Sequence, residues 1–137
     1  MKFRSRALLL VFSLTVLATR PANEGAKFQI TPGNINKPDF KGNTSLITAS
    51  GAGNKELVQS LLNEKANVNY ANRGGYTALM FAAANNHADI VYLLLKSGAN
   101  KHQRNLQGKI ALQIAQESGA HEELINLLEL GDIEKIK

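Results

Sequence analysis

From Leu46 to Leu128 the apolar positions fall into two kinds of stretch that alternate along the chain. One kind is short and Ala-rich, at about 45–51, 78–85 and 111–118, with small side chains that let a neighbouring element approach closely. The other, at about 55–64, 88–97 and 122–129, carries Leu, Ile and Val at i, i+1, i+4 and i+5. That spacing puts the apolar groups on one side of a 3.6-residue helix. Six helices in three pairs are therefore expected. Thr44 and Thr77 stand where the first helix of a pair begins and can cap its free N–H groups. Gly98 follows the second helix of the middle pair as a natural stop.

The pairs recur at a step of 33 residues. Asp39, Asn72 and Asn105 open the three blocks, and Gly42, Gly75 and Gly108 follow three residues later. Leu46, Leu79 and Leu112 keep the same step, as do Ala49, Ala82 and Ala115. Leu57-Val58 matches Ile90-Val91, Leu61-Leu62 matches Leu94-Leu95, and Ala66-Asn67 matches Ala99-Asn100. Past Gly119 the third block reads as slipped by one residue, with Leu124-Ile125 as its matching pair. Asp or Asn followed by Gly is turn chemistry. No single block can bury its own stripe, so three stacked blocks sharing one core are the economical solution.

These residues resemble the ankyrin repeat, whose pattern of Asp/Asn-x-x-Gly-x-Thr-x-Leu, Ala-Ala, Gly-His, Val-Val, Leu-Leu and Gly-Ala-Asn is met best from Asn72 to Asn100. The resemblance covers 39–130 and implies an all-α solenoid of three helix–turn–helix repeats, 39–71, 72–104 and 105–130, joined by β-hairpin loops, with a tail at 131–137. Some positions depart from the family. Its usual His after Leu is Ile47, Met80 and Gln113, so the family's hydrogen bond to the Thr is lost. Its usual Pro is Ser45, Ala78 and Ala111. Ile110 replaces the Thr of the third block, which with its acidic second helix looks like a C-terminal cap facing water.

The N-terminus has a different character. Lys2, Arg4 and Arg6 precede the apolar run Ala7–Ala18, and Val16 and Ala18 put small residues at the −3 and −1 positions of a cleavage site. Twelve helical residues reach only about 18 Å, short of a ~30 Å hydrocarbon core. Residues 1–18 therefore read as a cleaved secretory signal peptide, with no stable membrane anchor. Residues 19–38 contain all three Pro and no helical period. They read as an extension that lies over the first repeat from about Lys27, with Phe28 and Ile30 covering its open face; the alternative is a strip that inserts into a partner.

Charge then loses its weight. The whole chain carries +5, but loss of Lys2, Arg4 and Arg6 leaves +2, so nucleic acid is not an expected partner. Absence of cysteine excludes disulfides, thiol nucleophiles, Cys-based zinc sites and a lipoprotein anchor. His87 and His121 fall beside the turns between paired helices, where structural duty is expected, and His102 lies in a basic loop. No nucleophile elbow, phosphate loop or His-Glu-x-x-His motif occurs, and Glu122-Glu123 point about 100° apart on a helix. Catalytic residues, metal ligands and cofactors are expected to be absent: none is assigned, and the chain reads as no enzyme. Asn43-Thr44-Ser45 is formally a glycosylation sequon that the repeat register already explains.

Binding is the remaining expectation. The resemblance places variable contact positions on Phe40, Lys41, Asn43, Arg73, Tyr76, Leu106, Gln107 and Lys109 of the hairpins. It puts Ala52, Ala84, Asn85, Glu117 and Ser118 on the inner face. Tyr70 and the run Lys101, His102, Gln103, Arg104 extend the fingertip row. Tyr70, Arg73, Tyr76 and Arg104 make its sharpest cluster, because Tyr and Arg dominate binding hot spots, with packing of Tyr76 on the next hairpin as the equal alternative. Met80 and Phe81 are expected to face the core. The likeness to small exported ankyrin proteins of Gram-negative bacteria implies a periplasmic protein, monomeric when free. It implies an immunity or self-protection inhibitor of a secreted hydrolase such as a peptidoglycan peptidase. A non-inhibitory envelope scaffold or a peroxide-stress protein is the alternative.

Overall fold

The computed structural model describes residues 33–131. The expected leader, Phe28, Ile30, and the tail beyond Gly131 lie outside the described residues. These residues contain α1 (Ser45–Ala52), α2 (Lys55–Asn63), α3 (Ala78–Ala84), α4 (Ala88–Lys96), α5 (Ala111–Glu117) and α6 (Glu122–Leu130). Among the described residues there is no strand, so the loops ahead of α3 and α5 are hairpin-shaped turns without a sheet.

Three of the helices, α1, α2 and α3, start where a side-chain oxygen satisfies a free N–H group, whereas His87 and His121 begin α4 and α6 without a side-chain cap. The Thr44 hydroxyl accepts from the Ile47 N–H, the Thr77 hydroxyl from the Met80 N–H, and Asn54 Oδ1 from the Leu57 N–H. The two threonines thus cap their helices without the family's histidine. Ile110 has no side-chain oxygen to offer; instead Gln113 Oε1 accepts from the Ile110 N–H at 3.1 Å. Turns within and after the pairs close on left-handed residues at 53, 86 and 119 and again at 65, 98 and 131. Asn86 and Lys65 take these conformations at φ 59° and 63° where the other repeats use Gly.

Helices α1, α3 and α5 pack side by side as one layer, and α2, α4 and α6 lie behind them as a second. Between the layers runs one continuous apolar core. It repeats as the chain does: Val58, Val91 and Leu124 are fully buried, as are Leu61 and Leu94, and Leu127 is 5% exposed. This overturns the slip read after Gly119. No residue is inserted; α6 begins one residue later, with Leu124 N–H donating to the His121 carbonyl, and the register of 33 holds to Gly131. The two ends of the stack differ. At the C-terminal end the positions of buried Met80 and Ala83 are the exposed Gln113 and Gln116, which suit water. At the N-terminal end the face of α1 and α2 stays apolar.

Candidate functional site

Three loops, built alike, project from one edge of the stack. In each, the opening Asp or Asn accepts two backbone N–H groups on Oδ1: Lys41 and Asn43 on Asp39, Gly74 and Tyr76 on Asn72, Gln107 and Lys109 on Asn105. The same three residues donate their own N–H to the carbonyls of Asn43, Tyr76 and Lys109 across the turn. Adjacent fingers are also tied together. Asn72 Nδ2 donates to Asn43 Oδ1 at 2.8 Å, and the Leu106 N–H donates to the Gly74 carbonyl at 3.0 Å. A second ladder runs along the connecting loops, where Asn36 Oδ1 accepts from the Asn67 N–H and Asn69 Oδ1 from the Asn100 N–H. Backbone bonds at both ends leave each finger little freedom, so its tip is held before any partner arrives.

The 33-residue step sets Phe40, Arg73 and Leu106 at the same place on successive fingers. Phe40 and Leu106 are each 79% exposed, an unusual cost for large apolar groups on a small stack. Arg73 stands between them, exposed, and its guanidinium has no hydrogen-bond or ion-pair partner among the described residues. Lys41 extends over the Phe40 ring at 5.7 Å and adds a second cation at the tip. Neighbouring packed helices lie about 8–10 Å apart, so this row runs roughly 20 Å from Phe40 to Leu106.

Several expected contact residues are held otherwise. Asn43 is half-buried and spent on Asn72. Tyr70 is half-buried against the core. Tyr76 packs on Phe81 of its own repeat, with ring centroids 5.5 Å apart. Lys101 Nζ donates to the carbonyls of Leu128 and Glu129, neutralising the C-terminal end of α6. Lys109 pairs with Glu117 at 2.6 Å, and Arg104 Nη1 donates to the Gly108 carbonyl. His102 and Gln107 are exposed, and His102 is fixed only through its backbone N–H on Asn100. Tyr70, Arg73, Tyr76 and Arg104 thus do not form one exposed cluster.

Phe81 packs against the core as expected but keeps one edge of its ring at the surface. It is half-buried and lines a shallow surface depression with Ile47, Thr48, Gly51 and Asn85, while Met80 is fully in the core as expected. Its register partner Thr48 is polar and exposed, which was the available signal. His87 leans over Gly53 and its Nε2 lies 3.2 Å from the Gly51 carbonyl, which ties two repeats together. His121 starts α6, its N–H donated to Asn86 Oδ1. Among the described residues no three His, Asp or Glu side chains converge as metal ligands, and no helix is long and apolar enough to cross a membrane.

The family model for ankyrin repeats, in three copies, matches residues 14–105. No curated protein matches the chain. Ankyrin repeats mediate protein–protein contacts and are typically non-enzymatic binding modules, which agrees with a locked row of exposed tips. With two paired layers of helices, a strict 33-residue register and that match over most of its length, the chain belongs to the ankyrin-repeat family.

Proposed function

We propose that the protein is exported to the periplasm and acts there as a stoichiometric inhibitor of a hydrolase, guarding the producing cell against it. The observation that carries the binding part is the preset row Phe40, Arg73, Leu106. An apolar–cation–apolar row fits a partner surface that offers a carboxylate between two apolar side chains. Because the tips are already ordered, little conformational entropy is lost on binding, a property suited to occluding an enzyme's cleft. Export rests on the basic start, the short apolar run Ala7–Ala18 and its small closing residues.

Affinity purification from a periplasmic extract tests this reading, using the wild type and a Phe40→Ala/Arg73→Ala/Leu106→Ala triple variant. The expected result is a hydrolase retained by the wild type, lost from the variant, and inhibited at a one-to-one ratio. Retention by both proteins removes the fingertip row from the reading. Retention without inhibition replaces the inhibitor with a scaffold. Intact mass of the exported form should correspond to a chain beginning at Thr19; a mass that includes Met1–Ala18 refutes cleavage.

A further inference from the structure

At the N-terminal end of the stack α1 and α2 expose a groove of about 420 Å³, lined by Asn34, Pro38, Ser45, Ala49, Ala52 and Leu57 among others. In the next repeat the positions of Ser45 and Leu57, both part-exposed here, are Ala78 and Ile90, at 1% and 0% exposure, because the preceding repeat covers them; Ala49, on the groove's floor, is already buried. The first repeat keeps the same kind of surface, whereas the C-terminal end replaces its own with Gln113 and Gln116. One end of the solenoid is finished for water and the other is not.

What precedes the groove in the chain is built to the same register. Asn34-Ile35-Asn36 stands one step of 33 ahead of Asn67-Val68-Asn69. The correspondence is structural as well as textual: Asn36 bonds to the Asn67 N–H as Asn69 bonds to the Asn100 N–H, and Ile35 is 9% exposed. The same step puts Phe28 at the place of Leu61, Leu94 and Leu127, all core residues. The ankyrin match also starts at residue 14, well ahead of Asp39.

We infer that residues 22–32 of the chain itself occupy this groove, with the Phe28 ring as the buried anchor. The reach is sufficient. Phe28 lies six positions ahead of Asn34 on the groove's rim, and an extended chain covers about 3.3–3.6 Å per residue. The volume is sufficient too, since about 150 Å³ of apolar cavity holds an aromatic ring. The segment is a strap and no faithful copy of a repeat. Pro32 falls where Lys65 and Gly98 adopt φ 63° and 91°, and the proline ring holds φ near −65°. The later repeats' closing turn is therefore forbidden to it, so Phe28 supplies the apolar plug while the helix pair of a full repeat is missing.

Absence of native cysteine gives a clean label. In the full chain a nitroxide is attached at Gln29→Cys, leaving Phe28 in place, and amide signals are followed by NMR. Broadening is expected at Ala49, Ala52 and Leu57, with α6 untouched as an internal control of folding. Adding Phe28→Asp to the labelled chain should abolish that broadening and raise hydrogen exchange at Ala49–Ala52 by about tenfold. Unaffected groove signals, or broadening that survives Phe28→Asp, overturn the inference. Broadening seen only when spin-labelled and isotope-labelled chains are mixed assigns the groove to a second copy and also overturns it.

Discussion

Asn72 Nδ2 donates to Asn43 Oδ1 at 2.8 Å, joining the first finger to the second. One repeat on, the equivalent donor is Asn105 Nδ2, buried and without a partner, because the residue at Asn43's place is Tyr76. Tyr76 turns its ring onto Phe81 and offers that amide no carbonyl. The same side chain thus bridges fingers at one step and is orphaned at the next.

A double-mutant cycle reads this difference. Tyr76→Asn restores the acceptor, so Asn105→Ala should cost about 1 kcal/mol more in the Tyr76→Asn background than in the wild type. Both arms lose the turn bonds that Asn105 Oδ1 makes, and that loss cancels. Urea unfolding of the four proteins gives the coupling; a value near zero means that the amide finds no partner across the fingers.

Gly75 and Gly108 have nearly the same backbone, φ 78° and 79°, in different surroundings. A Cβ on Gly75 would lie 2.8 Å from the Leu106 nitrogen and 2.9 Å from the Asn105 Cα, whereas on Gly108 it meets open space. Gly108→Ala therefore carries only the left-handed penalty, about 1–2 kcal/mol. Gly75→Ala carries that and a backbone collision between fingers, and should be clearly the more damaging in denaturant midpoint. Equal losses would show that the finger contact yields freely.

How much of this was legible follows from what each interaction is made of. The 33-residue step and the six helices are written in apolar spacing and turn residues, so α1 to α6 fall within a residue or two of the expected bounds. The false slip after Gly119 arose because Leu124-Ile125 resembles Ile90-Val91 as a pair of residue types. Burial instead aligns Leu124 with Val91, and pairs of letters do not record which side of a helix they occupy. On the fingers, the resemblance places Phe40, Arg73 and Leu106 among eight contact positions without setting them apart; it is their exposure in the fold that does so. Lys101 and Tyr76 have intramolecular partners that the sequence does not show, backbone carbonyls at the end of α6 and a ring on α3. Nothing in a basic loop announces either.

Lys101 separates contact from stability. Its Nζ sits on the Leu128 and Glu129 carbonyls, where a cation meets the negative end of α6. Lys101→Met should lower stability by about 1 kcal/mol and speed hydrogen exchange in the last turn of α6, with partner capture unchanged. Capture lost at unchanged stability would return Lys101 to the binding surface.

Ser50 offers the opposite sign. It is fully buried in α1, and its hydroxyl finds no hydrogen-bond partner. The corresponding residue of α3 is Ala83, equally buried, so the site accommodates a methyl group in the neighbouring repeat. A buried hydroxyl that bonds to nothing loses its hydration without return, at about 1–3 kcal/mol. Alanine also favours the helix by a few tenths of a kcal/mol over serine. Ser50→Ala should therefore raise the stability of the stack by about 1 kcal/mol, seen as a higher urea midpoint at unchanged slope. The fingertip row is on the far end of the finger loops and keeps its geometry, so capture of the partner should not change. A lower midpoint would mean that the hydroxyl has a water or carbonyl partner in solution, and that the core between the first two repeats is wet at that point.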